Sequence, residues 1–562
     1  MLFCNSDTET PAFCFSSSAS PSPIQNPTLP HPPSNSASLP PDPAQPEEHA
    51  VDSSSSTNIQ NPAPGSSYAQ ILRSSSIIGG ATGINYIIGL IRTKAVAVLL
   101  GPSGVGLVGM YVSITGLISV IAQLGLDQSG VRQVAEANGT GDPERVARVT
   151  KTLRRVCWIT GLLGWSLTAA LAWPLSQWTF GSPDRVWPIA ILGVTVLIGA
   201  VTGGQTALLQ GMRRIGDLAR IQVVSAVLNT VVAIGLYAWL RENGIIPVII
   251  LTGLTQLGFS WYFSRKVQIV ELPQKWSETA AESKRMISLG GAFMYGAVLG
   301  GVVGLIIRAN IVRDLGLDAN GIYQAAWGLS GLFAGFILGA MGTDFYPRLT
   351  AVAQDDQQVN RLVNEQIEIG ILLALPGLIA TLTFAPWIIR IFYSAKFLLG
   401  AELLPWFVIG VFGQIISYPL GFIQRAKGKS GWIVVSQTHL NLLLVILTLF
   451  MVKTYGLNAA AWAFTITTYV HGLVVFGIAR HLTRFMWGAS SAKLAMISGS
   501  LIIVGLAAQI FTEAWGALSI GALVTISAFL LSLRGVSSRL GEGHRIVQMA
   551  LKLPGGRLAC GL

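Results

Sequence analysis

Long apolar blocks, broken by short polar turns, run along this chain from about residue 76 to residue 533. A helix crosses the hydrocarbon core of a bilayer with about 20 apolar residues. On that measure fourteen candidate spans lie near 76–100, 104–126, 156–176, 187–208, 219–240, 245–263, 286–308, 320–342, 366–386, 402–422, 431–452, 457–478, 494–512 and 515–533. The pattern predicts an all-α polytopic membrane protein with about 14 transmembrane helices. Only Glu513–Trp515 divides the last pair, so one long kinked helix is the competing reading there.

The first seventy residues differ in kind. They are Ser- and Pro-rich, and no Lys or Arg precedes Arg73. Such a segment buries too little apolar area to offset its ordering entropy, so residues 1–70 read as a disordered tail. A basic stretch followed by an apolar core is missing, so the tail is no secretory signal peptide. The rest divides into helices over 71–285, helices over 286–485, two further helices over 486–533 and a basic tail over 534–562.

Composition strengthens the membrane reading. The chain of 562 residues is 51% hydrophobic and 11% charged, against about 25% charged in soluble domains. The charge balance of +11 is spread over loops in an alternating pattern. With the amino terminus in the cytoplasm, inside connections hold Arg145, Arg148, Lys151, Arg154 and Arg155, then Arg213 and Arg214, then Arg265 and Lys266, then Arg425, Lys427 and Lys429. Outside connections hold far fewer cations. That is the positive-inside rule, and it puts both termini in the cytoplasm. Cations dispersed in this way do not make a nucleic-acid surface.

The chain also repeats itself. LLGPSGVGLV (Leu99–Val108) is echoed by DLGLDANGIY (Asp314–Tyr323), and GLDQSGVR (Gly125–Arg132) by GTDFYPR (Gly342–Arg348). LQGMRR (Leu209–Arg214) is echoed by IQRAKGK (Ile423–Lys429), and VVSAVLN (Val223–Asn229) by VVSQTHLN (Val434–Asn441). Order is kept, and the offsets stay nearly constant. Internal repeats mark many secondary transporters, whose site lies between the halves at membrane depth. Two six-helix pseudo-symmetric bundles around a central cavity, with two extra carboxyl-terminal helices, is the simplest architecture.

Three motifs carry a family resemblance: TKAVAVLLGPSGVGLVG, with its cation before Gly-Pro; LGLDQSGVRQVAE; and LQGMRRIGDLARIQVVSAVLN. Over about residues 70–480 the chain resembles the O-antigen and polysaccharide flippases of the multidrug/oligosaccharidyl-lipid/polysaccharide exporter superfamily. That family typically has twelve spans, so the last two helices and the Ser/Pro tail are departures. The resemblance implies a flippase of the bacterial cytoplasmic (inner) membrane. It would move an undecaprenyl-diphosphate-linked oligosaccharide by alternating access, for surface polysaccharide assembly. The partners implied are the lipid-linked oligosaccharide, membrane lipids, and a polysaccharide polymerase with its chain-length machinery; no cofactor, metal or nucleic acid is called for.

Arg92 and Lys94 interrupt the first span, and Arg308 lies near the end of the seventh. An intramembrane cation costs about 2.5–3.5 kcal/mol on insertion scales, so such residues face a cavity or a partner. Arg92 and Lys94, two residues apart, point to nearly opposite helix faces. No Asp or Glu lies deep in any span; Glu368 and Glu402 sit at span starts. An unbalanced positive interior suits a diphosphate, whose oxygens Arg matches bidentately. The bland alternative is snorkelling or bonding to backbone carbonyls. The family's spacing before Gly101-Pro102 favours Lys94 as a substrate contact. Asn85, Gln123, Tyr295, Asn310, Gln324, Gln414 and Asn441 could line a sugar path, although polar residues in membrane helices more often bond other helices. Gly296, Gly300 and Gly304 suit close packing or a bending helix.

Other motifs carry nothing. GVGLVG (Gly104–Gly109) fits GxGxxG but follows a membrane helix rather than a strand. No P-loop occurs, the four cysteines lack metal spacing, and His439 and His471 lie in separate spans. A multidrug antiporter would favour buried acid for cationic drugs, the opposite sign. A polymerase or ligase would need larger outer loops. A non-transporting scaffold would tolerate loss of Arg92 and Lys94.

Overall fold

The computed structural model describes residues 64–340, 345–540 and 548. Gly342 and Asp344 of the second repeat, the tail before residue 64 and three of the cysteines lie outside the described residues. The described residues form helices and short connections, with no strand. The first half comprises α1 (Pro64–Gln123), α2 (Leu126–Gly139), α3 (Pro143–Ala170), α4 (Ala172–Phe180), α5 (Val186–Leu192), α6 (Val194–Gly211), α7 (Ile215–Leu240) and α8 (Ile245–Arg265). The second comprises α9 (Trp276–Ala340), α10 (Tyr346–Ala351), α11 (Asp356–Thr383), α12 (Ala385–Phe392), α13 (Gly400–Ala426), α14 (Ser430–Tyr455) and α15 (Asn458–Thr483). Two more helices follow, α16 (Ala489–Phe511) and α17 (Ala514–Leu540). Ten helical stretches are long and apolar enough to cross a membrane, or eleven if the bent pair α3–α4 counts as one.

The repeat read from short motifs extends to backbone geometry. Gly101 (φ 71°) breaks α1, and Gly316 (φ 91°) breaks α9. Arg213 and Gly428 both take positive φ at the turns before α7 and α14, and Arg241 and Gly456 do so after them. All three pairs share one offset along the chain (101 and 316, 213 and 428, 241 and 456). The left-handed region costs an L-residue about 1–2 kcal/mol, so the first half tolerates Arg where the second uses Gly. Pro102 follows the first break at the start of the next helical segment, where its missing N–H costs no bond. Helix starts match too. The Asp142 carboxylate accepts from Glu144 N at 2.9 Å, and Asp355 accepts from Gln357 N and Gln358 N at 2.9 and 3.0 Å. Each holds an amide that the first turn leaves unpaired.

Burial follows the halves. One core is drawn from residues 303–528 with Ala97 as its sole member from the first half. Another is drawn from residues 100–248 together with Leu305, Ala309 and Val312. The residues that cross over lie near the two glycine breaks. There α1 and α9 touch backbone to backbone. A Cβ on Gly106 would fall 2.1 Å from Leu317 O, and one on Gly321 would fall 1.9 Å from Pro102 O. The fully buried Asn320 donates to Gly106 O at 2.8 Å across the same crossing. Small residues at membrane helix crossings permit this approach.

Gly321→Val places three carbons where a carbonyl already sits. Overpacking of this kind typically costs about 1–3 kcal/mol. The expected outcome is a melting temperature several degrees lower in detergent, or loss of the monodisperse protein. Unchanged thermal unfolding would contradict the close crossing.

Candidate functional site

The predicted cations are not brought into one hollow. Arg92 lines an open cavity of about 580 Å³ between α1 and α7, with Gln256 of α8 also in its lining. Asn85 and Thr93 of α1 share it, as do Gln222, Ser225, Asn229 and Thr230 of α7. Arg308 lines a smaller hollow of about 290 Å³ between the first part of α9 and α14, with Tyr323, Trp327, Asn441, Thr448 and Phe464. The two hollows correspond under the repeat. The offset that relates Gly101 to Gly316 also relates α7 to α14, and it relates Thr93, beside Arg92, to Arg308. Of the three cations expected to contact a diphosphate, Arg92 and Arg308 thus line separate, matched hollows, and Lys94 lines neither.

Lys94 takes a different role. Its Nζ donates to the carbonyl of Arg390 at 2.6 Å, in the last turn of α12. Terminal helix carbonyls lack intrahelical donors and carry the negative end of the helix dipole, so a cation is favoured there. This bond joins the first half to the second, at the same end as the glycine breaks. Ala97, one turn further along α1, is 1% exposed and packs into the core of the second half.

Among the described residues none of the three cations forms an ion pair with a carboxylate. Arg92 is exposed to its hollow and makes no hydrogen bond among them. Arg308 Nη1 donates to Gly304 O at 3.0 Å, which closes one turn of its own helix, while its Nε is buried without a partner. A buried guanidinium N–H left unmatched costs free energy unless a ligand accepts it. The acids are occupied elsewhere. Asp217 pairs with Arg214 and Arg220, and Glu368 with Arg539. Glu368 lies well inside α11 rather than at the start of its helix, tying α11 to α17.

The remaining polar residues separate clearly. Asn85 shares the cavity with Arg92. Gln123 is half-buried and faces Gly199 and Gly203 of α6. Tyr295 hydroxyl bonds the Thr438 hydroxyl at 2.6 Å, a link between α9 and α14. Asn310 donates to Asp314 at 2.8 Å within α9 and lines neither hollow. Gln324 lies against the backbone of Gly109 with its Nε2 buried and unpaired, beside the crossing of α1 and α9. Asn441 lines the Arg308 hollow while donating to Gln437 O at 2.8 Å.

Sequence reasoning misses the polar stripe of α7. Gln222, Ser225 and Asn229 recur at spacings that share one helix face, and Ser225 Oγ and Asn229 Oδ1 are buried without partners. The available signal is the spacing inside RIQVVSAVLN, a stretch that also marks the repeat.

Membrane-length helices repeated in order, with cation-bearing hollows in corresponding places, define a multi-pass membrane transporter fold. A solved lipid II flippase in an inward closed conformation superposes with a TM-score of 0.62 at 14% identity, over 82% of this chain and 99% of that one. An inward-facing multidrug resistance MATE family transporter of the MOP superfamily superposes at 0.58 with 16% identity, over 73% of this chain and 96% of that one. At these identities the likeness is one of fold alone. Residues 95–401 match the polysaccharide biosynthesis protein family, and the chain belongs to it. The lipid III flippase of Escherichia coli K12 is 21% identical over 407 residues, covering 69% of this chain and 93% of that protein.

The Lys94 bond gives a direct test. In an Ala97→Cys reporter, replacing Lys94 by Gln removes a side-chain link between the halves. Labelling of the introduced cysteine by a membrane-impermeant maleimide should then speed up by about tenfold or more, as expected on losing a charge-assisted hydrogen bond of about 1.5–3 kcal/mol. An unchanged rate would show that the bond does not hold the halves together.

Proposed function

We propose that this protein is a secondary-transporter-type flippase for a lipid-linked oligosaccharide with a diphosphate bridge, serving surface polysaccharide assembly by alternating access. The observation that carries the proposal is the sign of the interior. Arg92 and the Arg308 Nε face hollows with no carboxylate paired to them among the described residues, and the surrounding groups are neutral amides and hydroxyls. Phosphate oxygens match guanidinium donors bidentately. Multidrug export shares the fold, but a cationic drug would meet repulsion at these groups. The polysaccharide biosynthesis family and the lipid III flippase relative together support a sugar-lipid substrate and transport rather than enzymatic chemistry.

The architecture proposed for this cycle has fourteen spans. Three of the membrane-length stretches, 80–123, 215–265 and 294–331, hold 44, 51 and 38 residues. Each is long enough to cross twice, against about 20 residues for one crossing. Counted so, and with the bent α3–α4 pair included, the eleven stretches become fourteen spans. The spans form one bundle over 71–285 and another over 286–485, with α16 and α17 added. The cation distribution among loops supports cytoplasmic termini in a bacterial inner membrane. The glycine breaks then lie at the outer surface, where the halves touch. Sugar would pass between the halves while the lipid tail stays in the bilayer. A polymerase and its chain-length machinery would receive the product.

Two single replacements test the reading, Arg92→Gln and Arg308→Gln, in a strain lacking the native protein. Each should reach the membrane at normal levels, cut surface polysaccharide by on the order of tenfold or more, and let the lipid-linked precursor accumulate; loss of one charged contact of about 1.5–3 kcal/mol sets that scale. Full surface polysaccharide in both would overturn the cationic-hollow reading.

A further inference from the structure

A further cationic site lies on the outside of the first half, away from both hollows. Two adjoining cavities share Arg154 of α3 and Arg265 at the end of α8. The first, about 450 Å³, is walled by Trp158, Val201, Leu254, Leu257 and Trp261. The second, about 700 Å³, is polar and basic, with Arg148, Lys151, Gln274 and Glu271 at its rim. Together they make a slot whose apolar part runs along the helices and whose charged part opens at their ends.

The cations of the slot are not equally occupied. Lys151 donates to Leu272 O at 2.7 Å, and Arg148 approaches Asp142 and Glu144 at 3.9 and 3.8 Å. Arg265 stacks over the Trp261 ring at 3.8 Å, which leaves its N–H edge free. Among the described residues Arg154 makes no hydrogen bond or ion pair, and Glu271 pairs with neither arginine. Two guanidinium groups thus face one slot with no acceptor, beside two half-exposed tryptophans.

The repeat sharpens the point. Trp158, Leu162 and Trp165 are 51%, 46% and 39% exposed. With α3 and α11 aligned on their capping residues Asp142 and Asp355, the counterparts are Ile371, Leu375 and Leu378, each 0% exposed. In the second half α16 and α17 cover that flank: a Cβ on Gly535 would lie 2.5 Å from Leu372 Cδ2, and Gln509 donates to Leu382 O. The first half has the same helix face and no helix upon it among the described residues.

We propose that the slot between α3 and α8 holds a resident phospholipid with an anionic headgroup, its phosphate on Arg154 and Arg265 and an acyl chain between Trp158 and Trp261. Basic pockets between membrane helices on the cytoplasmic side suit anionic headgroups, and tryptophans sit at headgroup level. Arg supplies paired donors to phosphate oxygens. The positioning rests on the topology proposed above; the charge and shape of the slot do not.

Native mass spectrometry and thermal unfolding with dioleoyl-phosphatidylglycerol, dioleoyl-phosphatidylcholine and inorganic phosphate test this. The intact protein should retain phosphatidylglycerol and gain thermal stability from it, with little response to the other two. The Arg154→Gln, Arg265→Gln double variant should lose about tenfold in apparent affinity for phosphatidylglycerol, a loss that Lys at both positions partly restores. Surface polysaccharide should persist in the double variant, unlike in Arg92→Gln. Brominated phosphatidylglycerol should quench fluorescence of the unaltered protein more than of a Trp158→Phe, Trp261→Phe variant, a readout that survives if the arginine variant folds poorly. Equal phosphatidylglycerol binding by both proteins, or equal protection by inorganic phosphate, would overturn the proposal. So would dimerisation through the α3 face, or a double variant that keeps the lipid but loses surface polysaccharide.

Discussion

The contact between Gly106 and Gly321 sets the geometry of the molecule. Each glycine lies against a backbone carbonyl of the other half, at distances that leave no room for a side chain. The buried Asn320 amide locks the same crossing to Gly106 O. Nearby, Gly101 and Gly316 turn the chain so that both helices approach from equivalent directions. Two helices that meet this closely at one end have their opposite ends free to separate, because side chains rather than backbones fill the space further along. Lys94 reinforces the close end by a bond to a helix-terminal carbonyl.

The hollows follow from that constraint. With α1 and α9 crossing near their breaks, the helix before each break leans on α7 in the first half and on α14 in the second. Arg92 and Arg308 therefore face matched gaps rather than each other. Among the described residues no carboxylate pairs with either of them, and the acids Glu368 and Asp217 are held by Arg539 and Arg214. Under the function proposed above, a diphosphate would meet two cationic stations, one per half. An anion held in one half and released as the halves rock is a direct use of such an arrangement.

The same symmetry shows where the halves have diverged. Glycine in the second half stands where arginine bears the left-handed turn in the first, at 213 and 241. The flank of α11 is covered by α16 and α17, and among the described residues the flank of α3 is not. Two unmatched guanidinium groups would be costly against protein or lipid chains without acceptors, and the proposed anionic headgroup would supply them beside the apolar face. The two additional helices lie against α11 at Leu372 and Leu382, and among the described residues no helix takes that place on α3.

Much was legible without coordinates. Apolar block length identifies helices in lipid because every backbone polar group there must be bonded within its own segment. The repeat was legible because turn residues obey local backbone sterics that leave a mark on sequence, as Gly101 and Gly316 do. The sequence by itself also determined that the interior cations have no Asp or Glu beside them deep in their spans. Only the tertiary structure decided what each cation does. Arg92 and Lys94 are two residues apart and chemically alike, yet one faces an open cavity and the other a carbonyl in the distant α12. Which helix covers which face depends on packing between distant segments, and no local rule records it. The polar stripe of α7, the separation of Arg92 from Arg308 and the slot at Arg154 all belong to that packing.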